Sequence, residues 1–161
     1  SVVGWGRMNA GGSLNEQLQK QLASGVKHVC GSKLGFTAVK EDNSVVTWGE
    51  VSPVPPVETM KEQFDRDGGV KEMYCSGSFH ARGTAFAALT WSGSVVAWGG
   101  SDGGDCNDVN EQLAGDVKKI FPLHFGFAAV KVDGSLVTWP KRIPESLKDQ
   151  VSSGVQYVCS S

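Results

Sequence analysis

Alternation of apolar and polar residues recurs along this chain and predicts short strands. The segments Val-Lys-x-apolar-x and Phe-x-Ala-Val-Lys place apolar side chains at every second position, which is typical of half-buried β-strands. A third segment ends in Trp-Gly or Trp-Pro and occurs four times, as SVVGWG, SVVTWG, SVVAWG and SLVTWP. Its tryptophans are 43, 50 and 41 residues apart, at Trp5, Trp48, Trp98 and Trp139. Spacing of this size indicates a repeat protein.

The second strand of each unit contains a phenylalanine twelve residues before the tryptophan. The segments are GFTAVKEDN, AFAALTWSG and GFAAVKVDG, and the equivalent residues are Phe36, Phe86 and Phe127. Each segment ends in Gly or Asn, which adopt positive φ in tight turns, so we expect a hairpin between the second and third strands. We interpret the recurring Phe and Trp residues as structural anchors packed between units. The alternative is a row of exposed tryptophans that forms a recognition surface.

A different spacing follows each tryptophan and predicts one short helix per unit. Apolar residues there lie four positions apart, as packing of one helix face requires. Asn, Ser or Pro stands at the expected starts and Gly at the expected ends. The apolar sets are Leu14, Leu18 and Leu22; Met60 and Phe64; Val109 and Leu113; and Leu147 and Val151. Such a unit cannot cover its own apolar faces, so neighbouring units must share a core.

The period divides the chain into three full units and one unit that is split between the termini. The full units span about residues 7–49, 50–99 and 100–139, and the partial ones are 1–6 and 140–161. The split unit has no second strand, because the sequence ends at the position equivalent to Ser32 and begins at the one equivalent to Ser44. Either the chain is a segment of a longer array, or another protein supplies a strand to an open edge.

These segments resemble the repeat of the regulator of chromosome condensation family. The shared pattern is Val-x-x-Val-Cys-Gly-Ser, then Phe-Thr-Ala-Val, then Asp and Gly or Asn followed by Ser-Val-Val-x-Trp-Gly. The resemblance covers nearly the whole chain and implies a mainly β fold, a partial β-propeller-like array with one short helix per repeat. The chain differs from the family in having four units rather than seven blades. A helical segment also replaces the usual Asn-x-x-Gly-Gln-Leu-Gly tail.

The resemblance implies a role in binding other proteins. The family includes a nucleotide exchange factor for a small GTPase, and recognition modules in ubiquitin ligases and in regulators of channels or kinases. Unit two carries about six extra residues, and loops that depart from a repeat tend to lie on its binding face. We predict partner binding at Phe79, His80 and Arg82 in this insertion, and at Asp102 and Asp105 in the following glycine-rich connection. A merely longer turn and a flexible connection are the alternatives.

Length and charge narrow the possible functions. The chain has 161 residues, which is long enough for one domain to bury a core without metal or disulfides. Its 15 basic and 17 acidic side chains give a net charge of −2 with no basic run, so a nucleic-acid partner is not expected. No apolar run approaches the roughly 18 residues of a membrane-spanning helix.

Side chains that could carry chemistry are scattered along the sequence. His28 and Cys30 could offer two metal ligands on one strand face, but no second pair accompanies them, so no metal site is predicted. The glycine-rich stretch 99–105 lacks the Lys-Ser/Thr ending of a phosphate loop. Four cysteines show no disulfide spacing, and we expect reduced thiols, with Cys30 and Cys159 buried and Cys106 exposed. No catalytic residue, cofactor or small-molecule substrate is predicted.

The sequence therefore favours a non-catalytic interaction or scaffold module with a protein partner. We expect an accessory subunit of a larger assembly, because the chain begins in mid-unit at Ser1 and open sheet edges need covering. A respiratory or photosynthetic complex of an organelle would suit such a subunit, with the protein soluble or peripheral to a membrane complex. The alternative is a fragment of a regulatory repeat protein that acts as a guanine nucleotide exchange factor for a small GTPase.

Overall fold

Three antiparallel sheets follow one another along the chain. The computed structural model describes residues 1–4, 6, 12–32, 34–51, 54, 56–76, 84–101, 103–140 and 143–159. Each sheet has three strands in chain order. The strands are β1 (Val26–Gly31), β2 (Gly35–Lys40) and β3 (Val45–Gly49); β4 (Val70–Ser76), β5 (Ala85–Thr90) and β6 (Val95–Gly99); and β7 (Val117–Leu123), β8 (Gly126–Lys131) and β9 (Leu136–Trp139). The prediction of a mainly β fold is confirmed.

A short helix precedes each sheet. The helices are α1 (Glu16–Leu22), α2 (Val57–Arg66) and α3 (Asn110–Leu113), the last entered through a 3-10 turn, Asn107–Val109. The side chain of Asn15 caps α1 by accepting a hydrogen bond of 2.9 Å from the Leu18 backbone N–H. No helix among the described residues is long and apolar enough to cross a membrane.

The fourth unit departs from the predicted helix. Its segment contains only two 3-10 turns, Glu145–Leu147 and Asp149–Val151, and Leu147 is 43% exposed. In contrast, Leu22, Phe64 and Leu113 of the three α-helices are fully buried. Because most helical stability in proteins comes from packing of the apolar face, a spacing of four residues without burial does not form a regular helix here.

Each sheet carries a Phe and a Trp on one face. These residues lie directly opposite each other on the second and third strands, and their rings stack with centroids 5.4, 5.7 and 5.3 Å apart, in the pairs Phe36–Trp48, Phe86–Trp98 and Phe127–Trp139. All three tryptophans are buried. Trp5, the fourth predicted anchor, lies outside the described residues.

The aromatic face of one sheet packs against the preceding sheet, with a helix between them. Phe86 and Trp98 of the second sheet share a cluster with Val39 of the first sheet and with Met60 and Phe64 of α2. The third sheet repeats this arrangement against the second, with helical residues Val109 and Leu113. Neighbouring units therefore share their cores.

The first strands of the sheets lie beside one another, in the order β1, β4 and β7. The Lys27 ammonium donates to the Val70 carbonyl over 3.2 Å, and His28 Nε2 lies 3.1 Å from the same oxygen. Burial lowers the pKa of His28. His28 thus joins two neighbouring sheets through the backbone, which is a structural role.

Candidate protein-binding surface

The strands define two opposite ends of the array. The turn end contains the hairpins between second and third strands, residues 41–43, 91–93 and 132–134. The connection end contains the links between first and second strands, together with the segments that leave the third strands. These lie at the same end because each second strand starts opposite the end of its third strand, as Ala85 does opposite Gly99. Ser76 and Thr84, which flank the insertion of unit two, and the described residues of the glycine-rich connection therefore lie at the connection end.

Both ends of the insertion are held by neighbouring units. The hydroxyl of Ser76 donates to the Leu123 carbonyl over 2.7 Å and accepts from the Gly126 backbone N–H over 3.2 Å. On the other side, the hydroxyl of Thr84 is hydrogen-bonded to that of Ser32. Ser76 and Thr84 are both buried. Phe79, His80 and Arg82 of the insertion lie outside the described residues.

The glycine-rich connection touches the base of the insertion. The Gly100 backbone N–H donates to the Thr84 carbonyl over 2.8 Å, and the Trp139 indole donates to the Gly103 carbonyl over 2.9 Å. The exposed carboxylate of Asp105 accepts from the Asn107 backbone N–H over 2.9 Å. These bonds hold the described part of the connection against two sheets. Asp102 lies outside the described residues.

A cavity and an exposed aromatic side chain add surface at this end. The cavity has a volume of about 460 Å³ and is lined in part by Trp98, Ser101, Asp105 and Cys106. Phe125, in the link of unit three, is 41% exposed, and its ring meets that of His124 edge-on with centroids 4.4 Å apart. The connection end thus combines a polar loop, a groove and an exposed aromatic ring.

The turn end is built from three similar hairpins. The third turn residue has positive φ in each, 61° at Asn43, 84° at Gly93 and 82° at Gly134, which explains the predicted Asn or Gly at this position. Asp42 and Asp133 each accept a hydrogen bond from the backbone N–H two residues later. The predicted hairpins are therefore present, and they repeat with little variation.

Trp91 is a surface residue that the sequence reasoning did not single out. It occupies the first position of the second hairpin turn, is 62% exposed, and has the Lys71 ammonium 5.8 Å from its ring centroid. The sequence does contain a sign that Trp91 differs from the buried tryptophans. Trp91 is the one tryptophan that does not fall at a repeat position. Exposed tryptophans are frequent in protein interfaces.

Residues 154–159 form the first-strand segment of the split unit. The Val155 backbone N–H donates to the Gly134 carbonyl over 2.9 Å, as Val117 does to Gly93 in the preceding unit. The segment belongs to no strand ladder among the described residues. Tyr157 in this segment is 78% exposed, and its ring centroid lies 6.0 Å from that of Phe121. We call this segment the unpaired edge, because it has no strand partner among the described residues, and it carries an exposed aromatic side chain.

The cysteines are arranged differently from the prediction. Cys159, which the sequence predicts to be buried, is exposed on the unpaired edge, where no strand among the described residues covers it. Cys106 was expected to be exposed but is partly buried against the core of the second and third sheets. Burial raises the pKa of Cys106. Among the described residues, no group of three or more His, Cys, Asp or Glu side chains is placed to hold a metal ion.

Comparison with solved structures identifies a distant structural neighbour. No protein-family description matches the sequence, and no curated protein matches it. The fold is similar to the crystal structure of human WBSCR16, with a TM-score of 0.44 and 21% sequence identity. The match covers 74% of this chain and 35% of that chain, so this chain spans about a third of the neighbour's length.

Proposed function

We propose that this protein is a non-catalytic recognition module that binds a protein partner through its connection end. In this proposal the three sheets belong to a partial propeller-like array. The observation that carries it is the junction of the two irregular segments, where the Gly100 N–H donates to the Thr84 carbonyl. The insertion and the glycine-rich connection leave the scaffold side by side at this point.

The chemistry of these segments suits a protein surface. Protein interfaces place apolar and aromatic side chains at the centre and polar groups at the rim. The sequence supplies Phe79, His80 and Arg82 in the insertion. The structure places the exposed Phe125 and the carboxylate of Asp105 at the same end of the array as Ser76 and Thr84, which flank the insertion. A partner with an apolar patch and charges of both signs would complement this set.

The unpaired edge supports the further proposal of an accessory subunit in a larger assembly. The backbone of residues 154–159 is positioned by Val155 on the third sheet but belongs to no ladder among the described residues. An edge of this kind accepts a strand from another protein, and the main-chain hydrogen bonds then supply affinity. A partner strand would also cover Tyr157.

The test is capture of the partner by the full chain and by two matched variants. The tagged protein is purified after gentle chemical cross-linking in its source material, and the proteins that accompany it stoichiometrically are identified. In the first variant residues 77–82 are deleted, which leaves Gly83 and Thr84 as a link of the same length as residues 124–125 of unit three. In the second variant, Trp91→Ala, the opposite end is changed. We expect the deletion to abolish capture and Trp91→Ala to preserve it.

Two outcomes would overturn the proposal. A deletion variant that melts like the wild type and still captures the same partner in equal amount would exclude the insertion as the binding element. A wild-type chain that accompanies no protein in stoichiometric amount would exclude the accessory-subunit role.

The exchange-factor alternative is favoured by the same anchored insertion. A loop held at both ends, by Ser76 and by Thr84, is placed to act as a wedge against a GTPase. The measurement is nucleotide release from a panel of small GTPases with the wild type and the 77–82 deletion. Faster release that the deletion removes would support this alternative, and unchanged release across the panel would reject it.

A further inference from the structure

Two cysteines from different units lie next to each other. Cys30 is on β1 and Cys75 is on β4, and these first strands are neighbours. The Cys75 thiol donates to the Gly31 carbonyl over 3.0 Å, and the two cysteine side chains are hydrogen-bonded to each other. Both thiols are free and partly buried, beside the core shared by the first and second sheets.

The other two cysteines have different surroundings. Cys106 packs against the separate core of the second and third sheets, and Cys159 is exposed on the unpaired edge. They are therefore internal controls for thiol chemistry at the first pair.

We propose that Cys30 and Cys75 form a thiol oxidation site, at which hydrogen peroxide converts the pair into a disulfide that ties the first sheet to the second. This role goes beyond partner binding and is independent of the proposed function. It rests on the juxtaposition of the two side chains across neighbouring strands.

The pairing makes the two thiols unequal. The hydrogen bond from Cys30 lowers the pKa of Cys75, which favours the thiolate form of Cys75. The contact with Cys75 and burial raise the pKa of Cys30, which keeps its proton. Since the thiolate is the nucleophile, Cys75 is the residue expected to react with peroxide first.

One molecule of hydrogen peroxide accepts the two electrons that the thiols lose, so no other oxidant is needed. The Cys75 thiolate attacks one peroxide oxygen, the O–O bond breaks, and the departing hydroxide takes up a proton as the first water, leaving a sulfenic acid on Cys75. The Cys30 sulfur then attacks the Cys75 sulfur and the S–O bond breaks. The departing hydroxide accepts the Cys30 proton as the second water. Two thiols have lost two electrons in total, and one peroxide has gained them.

Peptide mapping of the full chain tests the site directly. The reduced protein is treated with hydrogen peroxide, denatured with a thiol-blocking maleimide present, and digested with trypsin. Cleavage after Lys27, Lys33, Lys71 and Arg82 places Cys30 in peptide 28–33 and Cys75 in peptide 72–82. We expect these two peptides to be recovered as one disulfide-linked species that separates on reduction. Cys106 should be recovered mostly with the maleimide attached.

Variants and stability provide the controls. Cys106→Ser and Cys159→Ser should keep the link, and the second also removes exchange between molecules through the exposed thiol. Cys30→Ser and Cys75→Ser should abolish it. Oxidation should shift the urea midpoint of the wild type and of Cys106→Ser upward, because a cross-link constrains the unfolded chain. It should not shift that of Cys75→Ser.

Three results would overturn the proposal, and the first two need no variant to fold. One is recovery of both peptides as separate maleimide adducts after oxidation to the extent seen for Cys106. The second is linkage of peptide 72–82 to the peptide of Cys159 in place of that of Cys30. The third is an upward shift of the urea midpoint on oxidation that persists in Cys75→Ser.

Discussion

The two ends of the array differ in how strictly they follow the repeat. At the turn end, the three hairpins have equal length, and the third turn residue of each has a positive φ. At the connection end, the link between first and second strands has two residues in unit three and eight in unit two. The same sheets therefore support a uniform surface on one side and a variable one on the other.

This difference separates structural requirements from freedom to vary. A two-strand hairpin with positive φ admits few residues, so the turn end is constrained by its own geometry. The links at the connection end leave the sheets and are limited mainly by their anchors, such as Ser76 and Thr84. Loops on a rigid scaffold are the usual places for binding residues. We place the proposed partner at the connection end because its links vary while the sheets that hold them stay the same.

The largest expected loss of stability comes from comparing two tryptophans, one buried in the core and one exposed on the turn end. Trp98→Ala removes a fully buried ring that stacks on Phe86 and packs against Phe64, so it should destabilise the protein by about 3–5 kcal/mol. Trp91→Ala, at a side chain that is 62% exposed, should change the free energy of unfolding by no more than about 0.5 kcal/mol. Urea denaturation of both variants measures this. If the two variants lost equal free energy of unfolding, Trp91 would have to be part of the core.

An intermediate effect is expected at an anchor of the insertion. Ser76→Ala leaves the Leu123 carbonyl and the Gly126 N–H without their partner, which should cost about 1–3 kcal/mol. Ser92→Ala, at an exposed serine of the turn end, is the matched control and should cost about 0.5 kcal/mol or less. Thermal or urea unfolding provides the comparison. A cost for Ser92→Ala equal to that of Ser76→Ala would show that hydrogen bonds between units contribute no more stability than the bonds of Ser92 to Thr90 and Ser94 within its own turn.

The smallest expected effect is acid sensitivity within the turn end. Hydrogen bonds from Ser44 and Ser135 hold the pKa of Asp42 and Asp133 below the usual range. Because the charged carboxylate is favoured in the folded state, its contribution is present above the ordinary carboxyl pKa of about 3.9 and is lost as the pH falls through the lowered value. The second hairpin has Ser92 in place of the aspartate.

Amide hydrogen exchange at decreasing pH tests this prediction, after correction for the intrinsic exchange rate. Protection of the Ser44 and Ser135 amides should decrease in acid. The Ser94 amide, which donates to the Thr90 hydroxyl over 3.1 Å, should keep its protection and serves as the internal control. Equal loss at all three amides would indicate general unfolding and contradict a local effect of the aspartates.

Several features were accessible from the sequence because they depend on local spacing. Phe36 and Trp48 lie twelve residues apart with a tight turn between them, and that spacing makes them cross-strand neighbours. The turn residues Asn43 and Gly134 indicated the hairpins through their tolerance of positive φ. Strand alternation and the position of α2 followed from periodicity in the same way.

Other features depend on which units become neighbours. Cys30 and Cys75 are far apart in sequence, and only the packing of β1 beside β4 brings their thiols together. The exposure of Cys159 and the partial burial of Cys106 reversed the expectation, because burial depends on the sheet that covers a residue. Leu147 and Val151 have helical spacing, but the segment lacks the burial that stabilises a helix.

Patterns within single units are enough to predict the repeat, the strands of each unit, their hairpins and the Phe–Trp pairs. These are set by side-chain alternation and turn stereochemistry within a few tens of residues. The packing of the units sets the contact between Thr84, which ends the insertion, and Gly100 of the glycine-rich connection. The same holds for the pairing of Cys30 with Cys75. Such contacts arise when separate units bury their faces against one another, and no local pattern records the partner that each face receives.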